Sequence, residues 1–135
     1  MKAVGKAVFG LFLAASAASV PTALAADRTE ELSHILLNDG SYKVRLSAAL
    51  ALGKLGDRNA VPALARAVRD ENNTVRAMAA QSLGRLGAPE AMDPLKETLK
   101  IERDSFVRTQ TEKALASLGG PGGGGAKKAR IYLSI

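Results

Sequence analysis

The sequence contains no cysteine and no tryptophan, and it has one histidine among its 135 residues. Without cysteine the chain can form no disulfide, perform no thiol chemistry and carry no cysteine-linked lipid. The single histidine excludes a histidine-rich metal site. We expect His34 to be a surface residue, because the neighbouring sequence supplies no partner that would make it catalytic.

Aromatic residues are also scarce, with two tyrosines and three phenylalanines. The core must therefore be aliphatic and built on alanine, leucine and valine. Small alanine side chains allow helices to approach one another closely, which favours a fold made of helices packed on helices. A chain of this length holds one domain.

The net charge of +6 comes almost entirely from the two ends of the chain. Five cations lie there: Lys2, Lys6, Lys127, Lys128 and Arg130. Removing these five leaves a net charge of +1 for the residues between them. A nearly neutral middle does not favour nucleic acid as a partner.

Residues 1–26 have the pattern of a secretory signal peptide. Two lysines precede a small, apolar run from Ala7 to Val20, Pro21 follows, and Ala23-Leu24-Ala25 is an A-x-A cleavage site. Cleavage after Ala25 or Ala26 predicts an exported protein, periplasmic or extracellular. The alternative is an uncleaved anchor, because 20 uncharged residues separate Lys6 from Asp27. Only in that case do we expect contact with a membrane.

The middle of the chain repeats one pattern three times. The copies begin at Val44, Val75 and Val107 and read VRLSAALALGKLG, VRAMAAQSLGRLG and VRTQTEKALASLG. A period in the low thirties predicts stacked helical hairpins. The apolar positions of a copy, such as Val44, Ala48, Leu52 and Leu55, fall on one helical face. We place the repeats near 44–74, 75–106 and 107–119.

A second helix follows each of the first two copies. These helices are expected over residues 59–69 and 90–101, with Pro62 and Pro94 in first turns, where a missing N–H does no harm. A helix of the same second type, residues 29–38, precedes the first copy, and Thr29 is expected to cap its start. The repeat domain therefore covers residues 27–119.

Glycines recur at two positions of the repeat. Gly56, Gly87 and Gly119 each follow the last apolar residue, where a left-handed residue closes a helix. Gly53 and Gly84 lie inside the helices, at a cost of about 1 kcal/mol each relative to alanine. Their recurrence predicts that a neighbouring backbone passes close to them.

An acid precedes each repeat arginine by six residues. The pairs are Asp39 with Arg45, Asp70 with Arg76, and Glu102 with Arg108. This spacing predicts a structural ladder that ties each turn to the start of the next helix. Such pairs contribute about 0–1 kcal/mol each when partly exposed. We therefore do not interpret these arginines as ligand-binding residues.

The third copy is more polar than the other two. Thr111 and Glu112 replace Ala79 and Ala80, and Gln110 replaces Met78. Polar residues at positions where a further repeat would stack are typical of a capping repeat, since each repeat buries one face against the next. Drift in a degenerate repeat is the alternative.

These repeats resemble the short bacterial HEAT repeats, also called PBS-lyase-type HEAT-like repeats, over residues 32–119. The resemblance implies an all-α fold, a short right-handed α-solenoid with its second helices on the concave side, and a role as a scaffold that binds proteins. The deoxyhypusine hydroxylase branch of that family holds a di-iron centre with His–Glu pairs, and the sequence has none. The bilin lyase branch uses longer arrays, and this chain offers no cysteine and few aromatic residues to hold a chromophore.

The last residues, 120–135, contain a flexible glycine-rich linker and a short tail. Residues 131–135 read as a β-strand, which is not stable alone. The strand is interpreted as the start of a further domain in a truncated chain, as a strand lent to a partner, or as a segment that is disordered or lies against the last helix.

Function is predicted from the second helices. Their exposed residues would form a mildly basic groove suited to an acidic peptide or protein, and they are Arg66, Arg69, Lys96, Glu97 and Lys100. A solvated polar surface is the alternative at each position, and a docking segment of a larger envelope protein is the alternative for the chain. A lyase-type enzyme subunit is less favoured. We expect no enzyme, no cofactor and no metal, because the sequence shows no phosphate loop and no acid–base pair in a pocket pattern.

Overall fold

The computed structural model describes residues 22–119, without the side chains of residues 22, 23 and 25. These residues form six α-helices and two 3-10 turns, Arg58–Ala60 and Pro89–Ala91, and the described part contains no strand. The helices are α1 Thr22–Asn38, α2 Tyr42–Leu55, α3 Val61–Ala67, α4 Asn73–Leu86, α5 Met92–Ile101 and α6 Ser105–Leu118. The all-helical prediction is confirmed. The glycine-rich linker, the strand-like tail and most of the leader lie outside the described residues.

The helices form two layers. The three copies of the repeat are α2, α4 and α6, which pack side by side and make the most extensive contacts in the molecule. The second helices lie behind them: α1 packs on α2 and α3, α3 on α4, and α5 on α6. The fold is thus a stack of helical hairpins, as the repeat period predicts.

The core contains one fully buried leucine from each of five successive helices. Leu36, Leu52, Leu64, Leu83 and Leu95 are at most 1% exposed. Alanines fill the space between them, so the core is aliphatic as predicted. It is also continuous, because these five leucines belong to one cluster of buried residues.

The predicted apolar face of the first copy is only half buried. Ala48 and Leu52 are in the core, whereas Val44 is 41% and Leu55 38% exposed. Val75, which corresponds to Val44 in the second copy, is fully buried. Val107, the equivalent residue of the third copy, is fully buried as well. Both α4 and α6 pack against a preceding first-type helix, whereas α2 has none before it among the described residues.

The glycines inside α2 and α4 are points of close helix contact, as predicted. A Cβ atom at Gly84 would lie 2.9 Å from the Cα atom of Ala114 in α6. A Cβ atom at Gly53 would lie 3.1 Å from the Cα atom of Ser82 in α4. The Ser82 hydroxyl donates a hydrogen bond of 2.7 Å to the Ala49 carbonyl at the same crossing. Both crossings therefore require the smallest residue.

Replacing Gly84 by valine is expected to lower the free energy of unfolding by about 1–3 kcal/mol. The new side chain would meet backbone atoms of α6, which cannot rotate away. Gly40→Val is the matched control, because a Cβ atom at Gly40 would meet nothing within 4 Å. Urea denaturation of both variants measures the difference, and equal stabilities would contradict this packing.

Two of the three helix-closing glycines adopt the predicted conformation. Gly56 and Gly87 have φ angles of 71° and 67°, and each directs the chain into a 3-10 turn. The prediction is wrong for Gly119, whose φ is −75°. Its N–H continues the helical hydrogen-bond pattern by donating to the Leu115 carbonyl at 2.8 Å. A right-handed residue satisfies that pattern, so no left-handed closure is required there.

The start of the first helix was predicted too late. Helix α1 begins at Thr22, directly after Pro21, and it runs through the predicted cleavage site at Ala25. Thr29 does not cap the helix. It is 2% exposed in the helix interior, and its hydroxyl donates 2.7 Å to the Asp57 carboxylate. The Thr-Glu-Glu start signal failed because the preceding residues continue the helix and because Thr29 has a partner after α2.

The third copy follows the capping interpretation at one position and departs from it at another. Glu112 is exposed, whereas Ala49 and Ala80 at the same repeat position are fully buried. Thr111 was predicted to face outward, and this is wrong, since it is fully buried. Its hydroxyl donates 2.7 Å to the Val107 carbonyl of its own helix, so the polar group is satisfied inside the core.

Candidate binding face and arginine ladder

The first rung of the ladder is a buried arginine in α2. Arg45 donates through Nε and Nη2 to the two carboxylate oxygens of Asp70, at 2.9 and 3.0 Å. Its Nη1 donates 2.9 Å to the Asp39 backbone carbonyl. A third acid, Glu71, lies 3.4 Å from Nη2 but is 87% exposed. Arg45 therefore joins the turn before α2 to the turn after α3.

The second rung repeats this arrangement one hairpin later. Arg76 donates through Nε and Nη2 to the two carboxylate oxygens of Glu102, at 2.7 and 3.2 Å. Its Nη1 donates 2.8 Å to the Asp70 backbone carbonyl. The two rungs share Asp70, whose carboxylate binds Arg45 and whose carbonyl binds Arg76.

The ladder is present, but the predicted pairing was wrong. Each arginine binds the backbone carbonyl of the acid six residues earlier. Its carboxylate partner is the acid of the next hairpin, 25 residues ahead of Arg45 and 26 ahead of Arg76. Spacing in sequence identifies the participants but does not show which copy supplies the carboxylate. That depends on how the hairpins stack.

Within residues 22–119 the third arginine binds mainly backbone carbonyls. Arg108 Nη1 donates to the carbonyls of Leu99 and Glu102, at 2.8 and 3.0 Å. Its remaining charge contact is with Glu112 of the same helix, at 4.0 Å. The Glu102–Arg108 pair predicted from the sequence is thus a backbone contact, not an ion pair.

The electrostatics of the ladder favour the charged form of Glu102. Burial raises the pKa of Glu102, but hydrogen bonds from the Arg76 guanidinium and from the amides of Asp104 and Arg103 outweigh it, so the pKa lies below its usual value. The hydrogen bond to Asp70 raises the pKa of Arg45. Arg45 with Asp70, and Arg76 with Glu102, are thus ion pairs within the stack.

The five predicted partner-binding residues lie on the outer surface of the second helices, which we call the second-helix face. All five, Arg66, Arg69, Lys96, Glu97 and Lys100, are exposed. Lys100 donates 2.7 Å to Glu97 within α5. This bond and the Lys100 charge lower the pKa of Glu97, and the Arg69 charge contributes further. Glu97 is therefore compensated, and the face keeps an excess of positive charge.

Two of these five residues, Arg66 and Arg69, border two separate hollows. Arg66 borders a groove of about 460 Å³ between α1 and α3, whose other lining residues are Ala26, Thr29, Glu30, Ser33, Leu37, Asn59, Pro62 and Ala63. Arg69 borders a hollow of about 370 Å³, the α3–α5 hollow, together with Val68, Asp70, Arg76, Thr98, Ile101, Glu102 and Arg103. Lys96, Glu97 and Lys100 line neither of them.

Two residues of the α3–α5 hollow were missed by the sequence analysis. Ile101 is 66% exposed, more than any other large hydrophobic residue in the described part of the chain. Arg103 is also exposed. Both residues flank a ladder acid, and the flanking residues differ between copies while the acid is kept. Comparing the copies at these two positions would therefore have identified both.

The part of the chain that the structure describes contains neither a cluster of side chains that could hold a metal ion nor a helix that could cross a membrane. No group of three or more His, Cys, Asp or Glu residues lies close enough to hold a metal within residues 22–119. His34 is exposed. Among the described helices, none has the length and hydrophobicity needed to cross a bilayer.

Comparison with known proteins agrees with the architecture. A family described as HEAT repeats matches residues 29–116. The phycocyanobilin lyase subunit alpha of Thermosynechococcus vestitus is 46% identical over 66 residues, which cover 47% of this chain and 23% of that protein. The subunit alpha of Synechocystis sp. is 59% identical over 34 residues, covering 25% and 12%. The chain thus spans less than a quarter of the curated relatives it matches.

A solved structure gives a similar result. Epoxyqueuosine reductase, crystallised with a modified tRNA stem loop, superposes with a TM-score of 0.54 at 28% sequence identity. The superposition covers 57% of this chain and 21% of that protein. The shared part is therefore a segment of the larger enzyme with the same stack of helical hairpins.

Proposed function

The chain belongs to the HEAT-repeat family, and from this premise we propose that it is a protein-interaction scaffold whose partner lies along the second-helix face. Solenoids of this kind present an extended surface on one layer of helices. The partner is a protein or peptide with an acidic surface. We further propose, from the leader sequence alone, that the protein is exported.

The observation that best supports this proposal is that the buried arginines have carboxylate partners whereas most cations of the second-helix face have none among the described residues. Arg45 and Arg76 are bound to carboxylates inside the stack. Arg66, Arg69 and Lys96 are exposed, and none of them takes part in an ion pair within the described residues. Cations without internal partners attract an acidic surface and accelerate its association.

Replacing Arg66, Arg69, Lys96 and Lys100 together by glutamate is expected to abolish capture of the partner in a pull-down. The thermal transition should change little, because the four side chains are exposed. The matched control replaces four exposed cations of the first-helix layer, Lys43, Lys54, Arg85 and Lys113, by glutamate. It changes the net charge by the same amount without touching the proposed face. Retained binding by the first variant would refute the proposal.

The relatives suggest a second, less favoured candidate, a subunit of a bilin lyase. The named relatives support it, but the matched segments are a minor part of those proteins. Incubation with phycocyanobilin distinguishes the two candidates, because a lyase subunit would shift the bilin absorption spectrum and a protein scaffold would not.

A further inference from the structure

We propose that the α3–α5 hollow is the anchoring site of the partner, and that it recognises a carboxylate next to an aliphatic side chain. The inference rests on the proposed function and specifies the chemistry of its partner. It is carried by three features of the hollow: the charges that remain free, the exposed isoleucine, and a change of sign between two equivalent rungs.

The free charges of the hollow are all positive. Its two acids are already bound, Asp70 to Arg45 and Glu102 to Arg76. Arg76 donates four hydrogen bonds, two to the Glu102 carboxylate and two to the backbone carbonyls of Asp70 and Glu71. Arg69 and Arg103 remain, and neither appears in an ion pair within the described part of the chain. An incoming carboxylate would therefore meet two cations and no uncompensated acid.

The exposed isoleucine supplies an apolar contact beside these cations. Ile101 lies immediately before the ladder acid Glu102, and the equivalent residues before Asp70 and Asp39 are Arg69 and Asn38. An isoleucine exposed at a position that is polar in the other copies is not required for stacking. The floor of the hollow is formed by Val68 and Thr98, which are at most 2% exposed. An aliphatic side chain can thus cover Ile101 while its neighbouring carboxylate reaches the arginines.

The two rungs differ in the charge of the residue that follows the ladder acid. The residue after the ladder acid is Glu71 on the first rung and Arg103 on the second. On both rungs an arginine donates two hydrogen bonds to one carboxylate, through Nε and Nη2. The arginine–carboxylate pair is therefore the same on both rungs. Only the residue after the acid changes, from Glu71 to Arg103, and this change confines the attraction of a carboxylate to the second rung.

Fluorescence anisotropy with labelled eight-residue peptides tests this assignment on the full chain. The probe peptide carries leucine flanked by two glutamates; one comparison peptide has glutamines for the glutamates and another has serine for the leucine. The probe is expected to bind about tenfold more tightly than either, since a charge-assisted hydrogen bond and a buried aliphatic group each contribute at least that factor. Equal binding of the three peptides, or no binding of the probe at about 1 mM, would overturn the proposal.

Variants of the chain assign the binding to the hollow. Arg103→Glu should weaken binding of the probe about tenfold or more, and Arg103→Lys should retain most of it. Ile101→Ser should weaken the leucine peptide but not the serine peptide, because it removes the contact that only leucine makes. Arg85→Glu, on α4 and outside the hollow, should have no effect. Circular dichroism checks the fold of each variant.

The outcomes separate this inference from the proposed function. Arg103 and Ile101 are not among the four residues of the charge-reversal variant. If that variant loses the partner while Arg103→Glu and Ile101→Ser keep both partner and probe, the second-helix face is correct and the anchoring site is wrong. If all of them keep the partner, both proposals fail.

Discussion

Replacing Leu83 by alanine is expected to lower the free energy of unfolding by about 2–5 kcal/mol, the largest effect of any single truncation in the array. Leu83 is fully buried in α4, the helix that packs against both α2 and α6. The substitution leaves a cavity that rigid helices on both sides cannot fill. Because each hairpin is stabilised mainly by its neighbours, loss of the central contact weakens the whole stack.

The matched control for this substitution is Leu115→Ala. Leu115 occupies the same repeat position in α6 but is only partly buried, so the expected loss is about 1–2 kcal/mol. Urea denaturation followed at 222 nm measures both variants. Equal losses would show that the central position of α4 has no special role, which contradicts the packing.

Replacing Asp70 by alanine is expected to destabilise the protein by about 2–4 kcal/mol. The side chains of Asp70 and Arg45 are 11% and 8% exposed, so the substitution leaves a buried guanidinium without its bidentate partner. Arg45 keeps the Asp39 carbonyl at 2.9 Å, which does not compensate its charge. Little salt dependence is expected, because a buried pair is poorly screened.

The neighbouring acid provides the control for Asp70. Glu71 approaches the same arginine at 3.4 Å but is 87% exposed, and exposed ion pairs contribute little. Glu71→Ala is therefore expected to change stability by less than about 0.5 kcal/mol. A similar loss in both variants would mean that total negative charge near Arg45, and not the bidentate geometry, stabilises the rung.

Part of the candidate site can be predicted from the repeat positions alone, without knowledge of the contacts. The acids and arginines of the ladder were identified from their recurrence, and Arg45, Asp70, Arg76 and Glu102 form ion pairs within the stack. The exposed cations of the second helices were also identified. Recurrence does not identify Arg103 and Ile101. They stand at positions where the residue differs from one copy to the next.

The sequence by itself determined the all-helical class, the order of first and second helices, and the glycines at Gly53 and Gly84 where helices cross. These follow from periodicity and from side-chain volume, which are local properties. The tertiary structure decided two other matters: that Thr29 is bonded to Asp57 instead of capping a helix, and that Arg45 and Arg76 take their carboxylates from the next hairpin. Those contacts join residues about 25–30 positions apart, and only the stacking of hairpins fixes which of several equivalent copies meet.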